Sequence, residues 1–206
     1  MGTRHFIHAL AVLLLVSPLC PLRAGDPPVA GQSAFVSELA QQALLSVSGD
    51  TVSAEDRRHR LQDFLLKDFD MPKISSFVLG RYWQKATDTE RQMFTAAYSD
   101  FLVRIYSQRF TRYSGESFRV LGQQAESATS TLVVTEMTSP SSAQPLKVEW
   151  RVVDSDGYRI TDISVAGVSM ALTQREDFRS ILQQNGGNLS ILTQRLNEKL
   201  ASQDAH

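Results

Sequence analysis

The segment from Phe77 to Phe118 constrains the fold more than any other, because it holds ten of the seventeen aromatic residues in the chain. Within it, Thr87 and Glu90 have the spacing of a capping box, in which each side chain accepts a hydrogen bond from the backbone amide of the other residue. A helix is therefore predicted from Asp88 to near Tyr113. Helical spacing places the following residues on its main apolar face: Phe94, Ala97, Tyr98, Phe101 and Ile105.

The first residues, 1–24, have the order of a secretory signal peptide. A basic residue precedes an apolar run from Ala9 to Val16, and the small residue Ala24 closes the segment. The run is too short to span a bilayer, so we expect cleavage after Ala24 and export of the remaining chain. We expect residues 25–32 to form a flexible linker and residues 33–206 to form one domain.

Two alternatives for this N-terminal segment stay open. A retained membrane anchor would use the same apolar run, although the run is short for that purpose. A lipoprotein signal would use Cys20, although the bulky Leu19 stands where a small residue is expected. The sequence favours the cleaved signal peptide over both.

Charge and cysteine content exclude several classes of protein. The chain of 206 residues has a formal net charge of −1, and loss of Arg4 and Arg23 with the signal would make it −3. Neither value indicates a nucleic-acid partner. The one cysteine, Cys20, would be lost as well. The exported chain would then contain no disulfide, no thiol nucleophile and no thiolate metal ligand, and its stability would depend on its hydrophobic core.

Local sequence patterns predict an α+β domain. Capping signals and helical spacing predict six helices, which begin near Ser33, Ser53, Asp70, Asp88, Thr173 and Leu189. The start at Thr173 rests on a second capping box, completed by Glu176. A period near two predicts four strands, over residues 117–122, 129–137, 146–153 and 158–165. Helices followed by strands and then helices indicate a twisted antiparallel sheet of about four strands packed with about six helices.

The residues offer no recognisable catalytic or metal-binding constellation. The exported chain would keep two histidines, His59 in a charged helix and His206 at the C-terminus. No set of His, Cys and carboxylate residues has the spacing of metal ligands, and the sequence lacks nucleophile-elbow and phosphate-cradling motifs. We therefore predict no catalytic residues, no metal site and no cofactor.

The aromatic face of the long helix has two interpretations. It can pack on the sheet as an ordinary core, as most buried aromatic residues do. Alternatively, helix and sheet stand apart and enclose an apolar pocket, with Arg109 and Arg112 near its mouth to meet an anionic group. Those arginines could equally compensate the dipole at the C-terminal end of the helix. The residues alone leave both interpretations open.

Several separate segments, taken in order, resemble the MlaC family of toluene-tolerance proteins and its hopanoid-associated subgroup, HpnM. The likeness extends from about Ser33 to Leu200, which is nearly the whole exported chain. Its most specific points are Leu79-Gly80-x-Tyr82, Ala86-Thr87, Tyr113-x-Gly115-Glu116 and Gly167-Val168-Ser169-Met170. The resemblance implies a soluble periplasmic carrier whose apolar pocket holds phospholipid acyl chains and leaves the head group near solvent.

The resemblance also implies partners and pocket residues. The carrier would exchange lipid with an inner-membrane ABC transporter complex and its MCE-domain protein, and with an outer-membrane lipoprotein complex. This exchange would maintain the lipid asymmetry of the outer membrane without covalent chemistry. The pocket residues implied by resemblance and face periodicity together are Leu79, Tyr82, Trp83, Phe94, Tyr98, Phe101, Ile105, Val148, Trp150, Val152, Ile160 and Val168. Arg109 and Arg112 are the head-group candidates.

Three alternatives remain beside a phospholipid carrier. The cargo could be a hopanoid or hopanoid-linked lipid, since the resemblance does not separate the two subgroups. The protein could be an adaptor with a filled core that contacts only transporter proteins. It could also be a periplasmic enzyme acting on lipid, which would need turnover of a bound lipid and a titrating carboxylate.

Overall fold

The computed structural model describes residues 31–47, 52–110, 116–140, 142 and 144–204. Seven helices and five strands occur in these ranges, in the order helices, sheet, helices. The helices are α1 (Gly31–Val47), α2 (Ala54–Asp68), α3 (Met71–Leu79), α4 (Arg81–Lys85), α5 (Asp88–Phe110), α6 (Met170–Gln184) and α7 (Leu189–Asp204). The strands are β1 (Ser117–Ala125), β2 (Ser130–Thr138), β3 (Leu146–Asp154), β4 (Tyr158–Val165) and β5 (Val168–Ser169).

The strands form one antiparallel sheet in the order β1-β2-β3-β4-β5. Each strand is therefore hydrogen-bonded to its neighbour in sequence, and the predicted α+β meander is confirmed. The structure adds only the short helix α4 and the two-residue strand β5 to the predicted elements. Gly157, at a φ of 105°, closes the predicted hairpin between β3 and β4.

Three of the helix starts follow from capping chemistry. The predicted capping box is present, since the Glu90 amide donates to Thr87 Oγ1 at 3.2 Å and the Thr87 amide donates to Glu90 Oε2 at 2.8 Å. Ser53 caps α2 and Asp70 caps α3, each by accepting from a backbone amide three residues later. These side chains satisfy amides that the first turn of a helix leaves without partners.

The predicted start of α6 at Thr173 is wrong. The helix begins one turn earlier at Met170, and Ser169 caps it by accepting from the Leu172 amide at 3.0 Å. Thr173 lies inside the first turn, where its hydroxyl donates to the Ser169 carbonyl. Glu176 pairs with Arg179 at 2.7 Å. Ser169 stands at the end of a strand, so the chain changes direction there and the earlier cap is used.

The buried residues divide into two clusters. The helix cluster is drawn from α2, α3, α5, α6 and α7 and consists of Leu65, Met71, Ile74, Val78, Leu79, Phe94, Ala97, Tyr98, Phe101, Val103, Ala171, Phe178, Leu182, Leu189, Leu192 and Leu196. The sheet cluster joins one face of the sheet to α1 and consists of Val36, Leu39, Val133, Val152 and Ile160.

This division differs from the packing that the sequence suggested. The aromatic face of α5 was expected against the sheet, but Phe94, Tyr98 and Phe101 all lie in the helix cluster. The rings of Phe94 and Tyr98 both meet the Phe178 ring of α6 edge-on, with centroids 5.8 and 5.3 Å apart. The leucines of α7 complete this core, so α5 has helical partners and α1 covers the sheet in its place.

Candidate functional site

Phe69, at the C-terminal end of α2, lies between the two clusters and packs against both. It forms an isolated parallel bridge with Ile160 of β4, and the next amide, Asp70 N–H, donates to the Ile160 carbonyl at 3.0 Å. We call this contact between Phe69, Asp70 and Ile160 the seam. It ties the start of α3 to β4, so the two clusters are joined by a backbone hydrogen bond as well as by packing.

Asp162, a buried carboxylate of β4, makes a second joint between the sheet and the helices. It accepts hydrogen bonds from Ser169 Oγ at 2.7 Å, from the Ala171 amide at 3.0 Å and from Arg151 Nη1 at 3.2 Å. Its negative charge lies at the N-terminal end of α6, where the helix dipole favours an anion. Asp162 therefore has a structural explanation that is complete without catalysis.

The covered face of the sheet is not covered evenly. At one end α1 closes it, with Ser33 Oγ donating to Gln123 Oε1 at 2.7 Å and the Phe35 ring 5.9 Å from the Tyr158 ring. Beyond α1 lies a band of residues on the same face, each only partly buried. We call this band the half-covered strip, and it consists of Phe118, Val120, Met137, Leu146, Trp150, Ile163 and Val165.

Trp150 is held in a defined orientation at the centre of the strip. Its indole Nε1–H donates to Thr135 Oγ1 at 2.9 Å, and that hydroxyl donates to the Val148 carbonyl at 2.8 Å. The Phe118 ring meets the indole nearly edge-on, at 6.2 Å and 75°. Thr135 is fully buried, so its hydroxyl fixes the tryptophan without exposing a polar group to the strip.

The C-terminal half of α5 carries apolar side chains of similar exposure. Leu102 and Ile105 are partly buried and pack on the outside of the helix cluster. Tyr106 is also partly buried, and its hydroxyl donates to Met170 Sδ at 3.4 Å, next to β5 and the start of α6. Partly buried apolar side chains thus occur both on the sheet and on the C-terminal half of α5.

The structure distributes the predicted pocket residues over several places. Leu79, Phe94, Tyr98 and Phe101 are buried in the helix cluster, and Tyr82, Trp83 and Ile105 pack on its edge. Val152 and Ile160 are buried in the sheet cluster, Trp150 packs on its edge, and Val148 is buried beside it. Val168 is 54% exposed on β5. The prediction therefore combined residues of two cores, of which Trp150 alone belongs to the half-covered strip.

The two head-group candidates cannot be placed in the same way. Arg109 lies in the last turn of α5, and the structure describes its backbone but not its side chain. Arg112 lies outside the described residues. Their role stays a prediction.

Two open grooves occur on the helical surface. One, of about 490 Å³, lies between α5 and α7 and is lined in part by Met93, Leu189 and Thr193. The other, of about 360 Å³, lies between α2, α5 and α7 and is lined in part by Arg58 and Leu200. Neither groove is lined by a residue of the half-covered strip or by a predicted pocket residue.

Burial changes the ionisation of three groups. Burial raises the pKa of the Tyr98 phenol far above its usual range, and the nearby Tyr106 and Asp162 add to this shift. Burial also raises the pKa of Asp68, the last residue of α2, and of Asp100 on α5. Across the described residues, no three His, Cys, Asp or Glu side chains are grouped as metal ligands would be. Within the same ranges, no helix combines the length and the apolar character that crossing a bilayer requires.

Sequence reasoning missed six of the seven residues of the half-covered strip, as well as Phe69 and Thr135. For Phe118 and Ile163 a signal was present, because they lie in predicted strands between polar neighbours. Phe69 gave no such signal, since it stands alone between two helices. Its contact with Ile160 is visible only in the folded chain.

Comparison with known proteins agrees with this architecture. The model of the family described as MlaC protein matches residues 37–198. The chain belongs to the MlaC family. A phospholipid-binding protein from Ralstonia solanacearum, solved in complex with a phospholipid, is similar in fold, with a TM-score of 0.71 and 20% sequence identity. The match covers 83% of this chain and 97% of that one.

Family membership and the shared fold identify the general architecture of this MlaC protein. The five-stranded sheet with surrounding helices is the fold for which the similarity to the Ralstonia protein is found. At 20% identity that likeness concerns the fold. The residues that would contact a ligand in this chain must therefore be argued from its own geometry.

Proposed function

We propose that this protein is a soluble periplasmic lipid carrier. It would hold the acyl chains of a phospholipid between the half-covered strip and the C-terminal half of α5. The head group would stay near solvent, with Arg109 and Arg112 as its predicted partners. The exchange partners would be an inner-membrane ABC transporter complex with its MCE-domain protein and an outer-membrane lipoprotein complex. This traffic would maintain outer-membrane lipid asymmetry.

The observation that carries the proposal is the partly buried strip within a well-packed domain. Large apolar side chains, among them Phe118, Trp150 and Ile163, remain accessible on a sheet face whose other end is closed by α1. Membership in the MlaC family and a fold shared with a phospholipid-binding protein point to lipid as the occupant. Burying each methylene of an acyl chain contributes about 0.8 kcal/mol, so two chains would be held strongly enough to prevent spontaneous loss.

The proposal requires no covalent chemistry. Asp162 is satisfied by three structural hydrogen bonds, and Asp68 and Asp100 lie on α2 and α5 and do not belong to the strip. Because a bound lipid would leave slowly, its release would need a partner that opens or competes for the site. We propose that the transporter complexes supply that work.

Export to the periplasm is part of the proposal. Residues 1–24 would be the cleaved signal peptide, residues 25–32 a linker and residues 33–206 the single lipid-binding domain. The family match over residues 37–198 lies within this last range. N-terminal sequencing of the exported protein would test the boundary, with Gly25 as the expected first residue.

Native mass spectrometry of the exported protein, followed by organic extraction, tests the function. The expected result is a mass increment of one diacyl phospholipid that disappears on extraction. An increment of a hopanoid would assign the cargo to the alternative class. A protein that carries no extractable lipid and takes up none from vesicles would contradict the carrier.

One observation favours a second candidate, the adaptor with a filled core. The rings of Phe94, Tyr98 and Phe178 are buried and pack against one another, as they would in a filled core. An adaptor would bind the transporter proteins equally well with and without lipid. A carrier would bind the donor and acceptor complexes differently in its loaded and empty states.

A further inference from the structure

The outer surface shared by α3 and α6 carries a patch of exposed apolar side chains. Phe77, Val168 and Leu172 are 43%, 54% and 51% exposed. Phe77 and Leu172 are connected through Arg175, and Val168 lies two residues before the start of α6. The Arg175 guanidinium lies 4.9 Å above the Phe77 ring and Arg175 Nη1 donates to the Phe77 carbonyl, and Leu172 precedes Arg175 by one turn of α6. We call Phe77, Val168 and Leu172 the α3–α6 patch.

Cationic side chains border this patch. Lys73 lies one turn before Phe77 on α3, and Arg179 lies one turn after Arg175 on α6. Arg81 follows Gly80, the residue against which the Arg175 guanidinium packs. Among the described residues on this side of α6, Glu176 carries the opposing charge and is paired with Arg179 at 2.7 Å. Asp177, the next residue, points about 100° further around the helix than Glu176 does.

The patch adjoins the candidate lipid site through the chain itself. Val168 follows β4, whose Val165 belongs to the half-covered strip. Met170, between Val168 and Leu172, accepts the hydrogen bond from Tyr106 of α5. A surface that touched the patch would therefore lie near Val165 of the strip and near the contact of Met170 with Tyr106 of α5.

We propose that the α3–α6 patch is a site of shallow contact with the surface of an anionic phospholipid bilayer, an inference that rests on the proposed lipid-carrier function. A stable protein interface buries roughly 800 Å² per partner, and three apolar side chains supply only a small part of that area. They suit interfacial adsorption, in which a small apolar area enters the head-group region and cations meet anionic lipids. Contact there would hold the carrier with its lipid site against the membrane during exchange.

Vesicle sedimentation tests this inference directly. The exported protein is mixed with phosphatidylcholine vesicles that contain or lack phosphatidylglycerol. Wild type is expected to bind the anionic vesicles, and the double variant Phe77→Ser/Leu172→Ser to bind them at least about tenfold more weakly, because two large apolar side chains no longer enter the interface. Arg179→Gln is expected to weaken binding about fivefold at low salt, and high salt should remove that difference.

The chain offers a matched control. Leu66 on α2 and Met93 on α5 are 62% and 60% exposed and lie outside the patch. Leu66→Ser/Met93→Ser should bind vesicles as wild type does. The inference would be overturned if both double variants lost vesicle binding equally, or if wild type did not bind anionic vesicles. A protein surface would then remain as the partner of the patch.

The same samples separate this inference from the proposed function. Phe77→Ser/Leu172→Ser should keep the lipid mass increment of wild type, since neither residue belongs to the strip. Loss of the increment in this folded variant would overturn the assignment of the patch as a separate contact surface. Wild type that binds vesicles but never carries lipid would instead contradict the carrier while the patch assignment stood.

Discussion

In the helix cluster, Phe94, Tyr98 and Phe178 are at most 3% exposed, whereas Phe118 and Trp150 on the sheet remain half-buried. Both regions contain aromatic rings, but only in the first are the rings enclosed by neighbouring helices. On the sheet, α1 covers one end and leaves the strip with partial cover. Under the proposed function, the difference teaches that aromatic content alone does not mark the lipid site. Incomplete burial of a continuous apolar face is the more informative feature.

The largest effect should come from opening the closed region. Phe178→Ala removes a ring that touches both Phe94 and Tyr98, and we expect it to lower the free energy of unfolding by about 3–5 kcal/mol. The lipid increment of the remaining folded protein should not change. Urea denaturation checks the stability, with the exposed Leu172→Ala as the control. A small stability loss together with lost lipid would show that this cluster, and not the strip, holds the ligand.

Trp150→Ala should affect lipid binding more than stability, whereas Phe178→Ala should affect stability alone. The indole is only partly buried, so we expect a smaller loss of about 2 kcal/mol in the free energy of unfolding. The bound lipid should change more than the stability does, because the floor of the strip is removed. Mass spectrometry of the extracted lipid would show either lower occupancy or a shift towards bulkier chains. An unaltered lipid profile would separate Trp150 from the binding site.

Thr135→Val tests what orients Trp150. The substitution keeps the shape of the side chain but leaves the indole N–H without its acceptor, so we expect a loss of about 1 kcal/mol in stability. In a Trp83→Phe background, the remaining tryptophan fluorescence should report a changed environment. Thr135→Ser keeps the hydroxyl and should behave as wild type. Equal spectra for the Val and Ser variants would contradict the orienting role.

The polar face of the sheet should respond to pH. Two hydrogen bonds from Arg151 hold the pKa of Glu126 below its ordinary value of 4.5. Its contribution to stability is therefore fully present above pH 4.5 and is lost as the pH falls through the lower pKa of the folded state. Because the pair is partly exposed, Glu126→Gln should cost less than about 1 kcal/mol at neutral pH. The cost should vanish in acid, and a constant cost at all pH values would contradict the pairing.

The smallest predicted effect is a gain in stability, on substitution of Asp68. Burial raises the pKa of Asp68 despite the nearby Lys67 and Arg159, so the folded state binds its proton more tightly than the unfolded state does. Ionised Asp68 therefore penalises folding at neutral pH, and the penalty disappears as the pH falls below the raised pKa. Asp68→Asn should be slightly more stable than wild type at pH 7 and equal to it in acid. If Asp68→Asn were less stable than wild type at pH 7, this prediction would be wrong.

Much of this fold is predictable from local sequence. The alternation of Val148, Trp150 and Val152 with charged residues predicts which face of β3 is covered, because side chains in a strand point to opposite faces in turn. The capping box of Thr87 and Glu90 fixes the start of α5 for an equally local reason. The second capping box failed because Ser169, one turn earlier, competes for the same helix start.

The partners of each face are harder to predict. Periodicity identifies the apolar face of α5, but α7 offers Leu189, Leu192 and Leu196 on a face that competes with the sheet for it. The sequence pattern does not indicate whether α5 packs against α7 or against the sheet. The seam has the same difficulty, since the bridge between Phe69 and Ile160 joins residues 91 positions apart. Long-range choices of this kind depend on the packing of the whole chain.

The central claim is that an acyl chain lies on the half-covered strip, and Ile163→Asp tests it most directly. Ile163 pairs with Trp150 across β3 and β4 and is partly buried, so a carboxylate can reach solvent there while it makes the strip unfavourable for hydrocarbon. Native mass spectrometry should find the wild-type lipid increment in a Met93→Asp control and none in folded Ile163→Asp. A full increment in folded Ile163→Asp would contradict the account.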